Sequence, residues 1–201
     1  MDERKKRLIE LILEKSFQYR EDPPFTLASG RQSHFYFNCK PTTLDPEGMN
    51  LIGEILCDML ADVPVTAAGG LTLGADPLAN ALAVISFQRR KPVKAFIVRK
   101  EAKDHGMKSK IEGNVQSGER VVILDDVITT GGSTITAIEA AREAGLVIDR
   151  VITLVDREEG GRENILSHCP VVQSVLTRTE VMDLYHDRAV RPPLDKPSPK
   201  G

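Results

Sequence analysis

The chain has 201 residues, with 27 Lys and Arg against 29 Asp and Glu, a formal net charge of −2, and 41% hydrophobic residues. That length suits one domain with its own core, and the near-neutral balance offers no general attraction to nucleic acid or an anionic membrane. No apolar run approaches the roughly 20 residues that span a bilayer, and the charged, amphipathic start lacks the apolar stretch of a secretory signal. Aromatic residues are 4% and Trp is absent, so no stacking platform for single strands is expected. These features together lead to the expectation of a cytoplasmic protein with no membrane or nucleic-acid partner.

Leu8, Ile9, Leu11, Ile12 and Leu13 recur at helical spacing, which predicts an amphipathic helix over about residues 3–16. Pro23 and Pro24 end it. Phe25 to Leu27 and His34 to Asn38 read as two short extended pieces joined by a tight turn at Ser29-Gly30. Pro46 opens a second helix running to about Leu60, because a missing N–H costs nothing in a first turn.

From residue 65 the rhythm becomes strand, Gly-containing loop, helix. Val65 to Ala68 is a strand, Gly69 to Pro77 a loop, and the Ala- and Leu-rich stretch to about Phe87 a helix. Val93 to Val98 is the next strand, followed by a charged run from Arg99 to Lys110. The continuous apolar run Val121 to Leu124 marks a strand buried on both faces. A Gly-rich turn then leads to a helix from about Ser133 to Ala144, closed by Gly145. Val151 to Val155 and Val171 to Leu176 complete the set. Such alternation predicts an open, mostly parallel α/β sheet flanked by helices, with right-handed crossovers. Four Pro in the last 11 residues predict a loosely ordered tail. The resulting division is an N-terminal helix and small hood (1–62), an α/β core (63–186) and the tail (187–201).

Cys39, Cys57 and Cys169 are widely spaced and form no CxxC pair, so they read as free thiols in a reducing compartment. His34, His105, His168 and His186 show no zinc-ligand spacing. No metal is expected on protein ligands alone; any metal would arrive with a phosphate-bearing substrate.

The most informative segment is VVILDDVITTGGST, residues 121–134. It predicts two carboxylates, Asp125 and Asp126, at the carboxyl end of a parallel strand, where open α/β sheets bind ligands. Thr129, Thr130, Gly131, Gly132 and Ser133 follow at a helix start. Their amides and hydroxyls, with the helix dipole, suit a phosphate monoester. Adjacent acids would repel a bare phosphate, but they suit sugar hydroxyls beside it. A ribose 5-phosphate satisfies both halves. No P-loop or dinucleotide-binding glycine pattern occurs anywhere in the chain.

This segment resembles the diphosphoribosyl-binding signature of type I phosphoribosyltransferases. Phe25 to Arg31 with Phe35 to Asn38 resembles the N-terminal base-binding segment of the orotate phosphoribosyltransferase family. Gly70 to Pro77 resembles that family's diphosphate loop, and Arg99 to Gly106 its mobile catalytic loop. The resemblance spans roughly residues 5–180 in family order. It implies transfer of the phosphoribosyl group of phosphoribosyl diphosphate (PRPP) to orotate, with Mg2+ carried by the diphosphate, and a homodimer sharing its active sites. A purine phosphoribosyltransferase or a non-catalytic PRPP sensor is the alternative that the fold leaves open. By position, Arg99, Lys100, Lys103 and His105 match the family's diphosphate contacts, with Lys103, His105 and Arg99 in the catalytic loop. Tyr36, Phe37, Thr129 and Arg157 match its orotate contacts. Ala28 and Gly74 stand where some members carry lysine; Arg31 or Lys40 could replace one of those charges.

The basic run itself carries Arg99, Lys100, Lys103, Lys108 and Lys110 against Glu101 and Asp104. Cations at that sheet edge would stabilise charge developing on a departing diphosphate, and Gly106 and Gly113 are candidate hinges.

Overall fold

A computed structural model describes residues 2–26, 32–101 and 110–190. Helix α1 (Glu3–Lys15) begins where the Asp2 carboxylate accepts the Arg4 amide, and it buries Leu8, Ile9, Leu11 and Ile12. Short strands follow: β1 (Phe17–Tyr19), β2 (Phe25–Thr26), β3 (Gln32–Ser33) and β4 (Phe35–Phe37). The two extended pieces expected here do not pair with each other. Antiparallel β4 lies on β1, with Phe17 opposite Phe37, and β2 lies on β3. Clustering of Phe17 with Phe35, Phe37 and Tyr185 explains the choice, because it buries rings that a 25–27 partner would leave outside.

Helix α2 (Lys40–Thr43) and helix α3 (Pro46–Met59) come next, the latter capped by Asp45, which accepts from the Glu47 and Gly48 amides. The core then alternates as expected: β5 (Ala67–Leu71), α4 (Asp76–Gln88), β6 (Lys94–Val98), β7 (Ile111–Glu112), β8 (Arg120–Ile128), α5 (Gly132–Glu143), β9 (Val147–Asp156), α6 (Gly161–Leu166), β10 (Val172–Thr177) and α7 (Arg178–Val190). The sheet order is β10-β9-β8-β5-β6-β7, parallel throughout except for the antiparallel edge strand β7. Because α7 runs to Val190, the first residues of the expected tail, 187–190, are helical; residues 191–201 lie outside the described residues.

Side chains of the central strands divide between two cores by simple alternation. Val122 and Leu124 of β8 pack with α1, α3 and α4 on one face, while Val121 and Ile123 pack with α5 on the other. Both faces being covered is why these strands read as unbroken apolar runs. Each such fully buried side chain contributes roughly 1.5–3 kcal/mol.

One strand end differs from expectation, and the difference builds the site. Strand β8 does not stop at Asp125 but continues to Ile128, because β9 keeps pairing with it as far as Ile128 opposite Asp156. On the other side β5 leaves β8 after Gly69 opposite Ile123. Asp125 and Asp126 therefore sit on a half-paired strand, with one side open.

Candidate active site

The opening beside β8 is a cleft of about 560 Å³. Its walls come from three places: the N-terminal segment (Thr26, Tyr36, Phe37, Asn38, Cys39 and Lys40), the end of β8 with the loop that follows it (Asp126, Val127 and Thr129 to Ser133), and Arg157 after β9. Nine of the expected residues, Tyr36, Phe37, Asp126, Thr129 to Ser133 and Arg157, thus converge from segments far apart in the chain, and the reason is topological; Asp125 is not in the cleft wall. The carboxyl ends of β8 and β9 face the hood, at the edge where parallel sheets leave room for ligands.

Gly131 begins α5 with a φ of +84°, a left-handed turn that glycine adopts freely, and it presses on Ile165 and the Gly161 carbonyl. The turn directs the first amides of α5 toward the cleft, where Thr129, Thr130, Gly132 and Ser133 also line the wall. Free amides at a helix start with adjacent hydroxyls form an anion site.

Asp125 is 6% exposed and lies beneath this loop. Ser133 Oγ donates to its Oδ2 at 2.7 Å and Thr134 Oγ1 donates to the same oxygen at 2.6 Å. Burial pushes this carboxyl up to about 6, against the pull of the two hydroxyls, and the neighbouring Asp126 charge adds to the rise. Asp126 is less buried and lines the cleft; its Oδ1 accepts the Val127 amide at 3.0 Å. A Cβ added at Gly74 would lie 2.4 Å from that same Oδ1, so the Gly70–Pro77 loop packs directly on Asp126.

Arg157 is 5% exposed. Its Nη2 pairs with Glu159 at 2.8 Å and reaches Ser33 Oγ at 3.3 Å, while the buried Nε has no hydrogen-bond partner among the described residues. A buried guanidinium N–H without a partner is costly, and a carboxylate ligand in the cleft would satisfy it. Tyr36, 39% exposed, stacks on Phe25 at 5.5 Å, and Phe25 in turn lies under Arg20. Phe37 also lines the cleft, but its ring packs on Phe17 in the core.

The basic segment is only partly described. Arg99 ends the strand region with its Nη1 3.3 Å from Glu112 of β7, and neither Arg99 nor Lys100 is among the cleft-lining residues. Lys103 and His105 lie outside the described residues, as do Ala28 and Arg31. Sequence reasoning missed Thr134, which carries no signal beyond that of a helix-start hydroxyl, and Glu159 and Ser33, whose contacts with Arg157 are visible only in three dimensions.

Residues 66–185 match the phosphoribosyl transferase domain family. An orotate phosphoribosyltransferase of Aquifex aeolicus is 50% identical over 161 residues, covering 80% of this chain and 88% of that protein. The chain belongs to the orotate phosphoribosyltransferase family. Another family member, from Rhodopseudomonas palustris, is 51% identical over 161 residues, covering 78% and 84% of the two chains. The crystal structure of Mycobacterium tuberculosis orotate phosphoribosyltransferase in complex with 5-phospho-α-D-ribosyl 1-diphosphate superposes with a TM-score of 0.74 at 35% identity, covering 89% of this chain and 99% of that one. The family fold, a mostly parallel sheet flanked by helices with small N-terminal sheets, is the fold described above.

Proposed function

We propose that the chain transfers the 5-phosphoribosyl group of PRPP to orotate, giving orotidine 5′-monophosphate and diphosphate in pyrimidine biosynthesis. The observation that carries this reading is one cleft lined both by an anion loop with Asp126 and by a buried arginine whose Nε has no hydrogen-bond partner among the described residues. A phosphorylated sugar matches the first half, and a planar base bearing a carboxylate matches the second.

The residues divide the work as follows. Thr129, Thr130, Gly131, Gly132 and Ser133 take the 5′-phosphate, and Asp125 and Asp126 take the ribose hydroxyls. Tyr36 and Phe37 bound the orotate ring, Thr129 offers it a hydroxyl, and Arg157 pairs with its carboxylate. Diphosphate leaves with its electron pair as the orotate ring nitrogen, having lost its proton, bonds to the anomeric carbon. The transition state resembles an oxocarbenium ion, with no covalent enzyme intermediate. Asp125 and Asp126 act by positioning and by their negative charge near the sugar, not as nucleophiles.

Arg99, Lys100, Lys103 and His105 are assigned to the diphosphate, in a loop that closes over the reaction and excludes water. Arg99 would exchange Glu112 for the ligand on closure. Magnesium fits as a passenger on the diphosphate. Among the described residues no group of three or more His, Cys, Asp or Glu is placed to hold a metal ion, but the cleft-facing Asp126 can approach one carried by the ligand. Bound there, the ion neutralises charge on the leaving group.

A homodimer with shared sites goes with this reading. Its support is an apolar surface on α4, where Val84 and Phe87 are exposed one turn apart, with Leu73 exposed in the preceding loop. Residues 1–62 act as a hood over the base, contributing Tyr36, Phe37 and Lys40 to a site otherwise built by the core. A cytoplasmic location is part of the same reading, and no helix among the described residues is long and apolar enough to cross a membrane.

Incubation with PRPP, magnesium and orotate tests the activity by the loss of orotate's ultraviolet absorbance. Consumption of orotate with release of diphosphate is expected. Turnover of a purine base with orotate untouched would overturn the substrate assignment.

A further inference from the structure

Lys40 opens α2 on a rigid footing. Cys39 before it is buried, and Thr42 and Thr43 after it are buried, with their amides donating to the Cys39 carbonyl at 2.9 and 2.8 Å. Thr42 Oγ1 and Ser16 Oγ share a 2.7 Å hydrogen bond that ties the turn to the end of α1. Between these anchors Lys40 is exposed and lines the cleft. A firm backbone under a flexible four-carbon stem delivers an ammonium to a ligand at little cost in order.

The charges around it are unbalanced in a useful way. Among the described cleft-lining residues the cations are Lys40 and Arg157. Arg157 is already paired with Glu159, whereas the Lys40 ammonium has no ion pair or hydrogen bond among the described residues. The Cys39 thiol is pushed up by burial and by the Asp126 and Asp125 charges, and Lys40 acts against them.

The substrates bring more anionic groups to this cleft than the other described residues match. The 5′-phosphate has the amides and hydroxyls of residues 129–133, and the orotate carboxylate has Arg157. A diphosphate is left, and the described members of the basic run, Arg99, Lys100 and Lys110, stand outside the cleft wall, Arg99 against Glu112. The Gly70–Pro77 loop, which resembles the family's diphosphate loop, packs on Asp126 at Gly74, and the diphosphate end is assigned to that side.

We propose that Lys40 is a substrate-binding residue whose ammonium pairs with the diphosphate group of PRPP beside Asp126. The proposal rests on the phosphoribosyl-transfer reading above. It adds a hood residue to the leaving-group site, so the same short segment that bounds the base also grips the group that departs.

Calorimetric titration of the intact protein with magnesium diphosphate, with ribose 5-phosphate and with orotate tests it in wild type, Lys40→Met and Lys40→Arg. Steady-state kinetics on the same proteins accompany the titrations. Lys40→Met should weaken diphosphate binding and raise the KM for PRPP by about tenfold or more, the scale of one charge-assisted contact. Ribose 5-phosphate and orotate should bind within about twofold of wild type, and Lys40→Arg should recover most of the loss. Unchanged diphosphate affinity in Lys40→Met would overturn the proposal, as would a loss confined to ribose 5-phosphate or to orotate. Failure of the wild type to consume orotate would count against the functional reading instead, and the diphosphate titration would still report on Lys40.

Discussion

Thr134 and Asp125 are joined by a 2.6 Å hydrogen bond inside the protein, and both are nearly closed to solvent, at 1% and 6% exposure. Ser133 bonds the same carboxylate oxygen, so Oδ2 is held by two hydroxyls of the loop that lines the cleft. Besides the two hydroxyls, Asp125 feels the charge of Asp126 on its own strand, its own charge acts on the buried Cys39 thiol, and the neutral Thr153 stands opposite it on β9. Burial holds Asp125 at about 6, and the two hydroxyls favour its ionised form.

Replacing the hydroxyl by a methyl in Thr134→Val should therefore raise the Asp125 pKa further. The acid limb of the kcat/KM profile for PRPP should move to higher pH by about one unit. Thr134→Ser should keep the wild-type limb. An unmoved limb in Thr134→Val would mean that Thr134 supports only packing.

The same raised pKa has a stability consequence of definite sign. A carboxyl whose pKa is higher in the folded protein binds a proton more readily there than in the unfolded chain. Between its ordinary 3.8 and about 6 the folded state carries the extra proton, so stability falls as pH rises through that window and stays reduced above it. A rise of about two units corresponds to roughly 3 kcal/mol at neutral pH. Asp125→Asn should then be more stable than wild type by about 1–3 kcal/mol at pH 8 in chemical denaturation, with the gain shrinking toward pH 4. Its kcat/KM should fall, a trade of activity for stability.

Gly74 and Asp126 are in steric contact. A Cβ at residue 74 would sit 2.4 Å from Oδ1 and 2.9 Å from the carboxylate carbon of Asp126. Gly74→Ala should fold, since the atoms that its Cβ would meet belong to the end of one side chain, the Asp126 carboxylate. The carboxylate must swing aside, and KM for PRPP should rise by about tenfold, with the KM for orotate nearly unchanged. Equal changes in both constants would contradict this division of the cleft.

For Arg157 the expectation is the reverse. Arg157→Lys keeps a charge but loses the fork that offers Nε and Nη2 together, so KM for orotate should rise by at least about tenfold while KM for PRPP holds. Initial rates at varied orotate measure it directly.

Much of this was legible in the chain, for identifiable reasons. The central strands announce themselves because Val121 to Leu124 and Val151 to Val155 are buried on both faces. Asp125, Asp126 and the Thr129–Ser133 loop are contiguous, so one strand and one helix start suffice to place them. The hood was harder, since strands of two or three residues carry almost no periodicity and the β1–β4 pairing is decided by ring packing with Tyr185, far along the chain. Helix α7 escaped notice because its apolar residues, such as Val181, Met182, Leu184 and Tyr185, lie among charges without a clean stripe. Arg157 was recognisable by position alone, but its burial and its contact with Ser33 join residues 124 apart. Arg99 was expected at the ligand and stands with Glu112, a pairing set by the antiparallel turn back into β7.

The most direct test of the site is a crystal structure of the protein with orotidine 5′-monophosphate. The 5′-phosphate should lie on the amides of residues 129–133, the ribose hydroxyls at Asp125 and Asp126, and the orotate carboxylate within hydrogen-bond distance of Arg157. A product bound with its carboxylate away from Arg157, or its phosphate off the 129–133 loop, would contradict it.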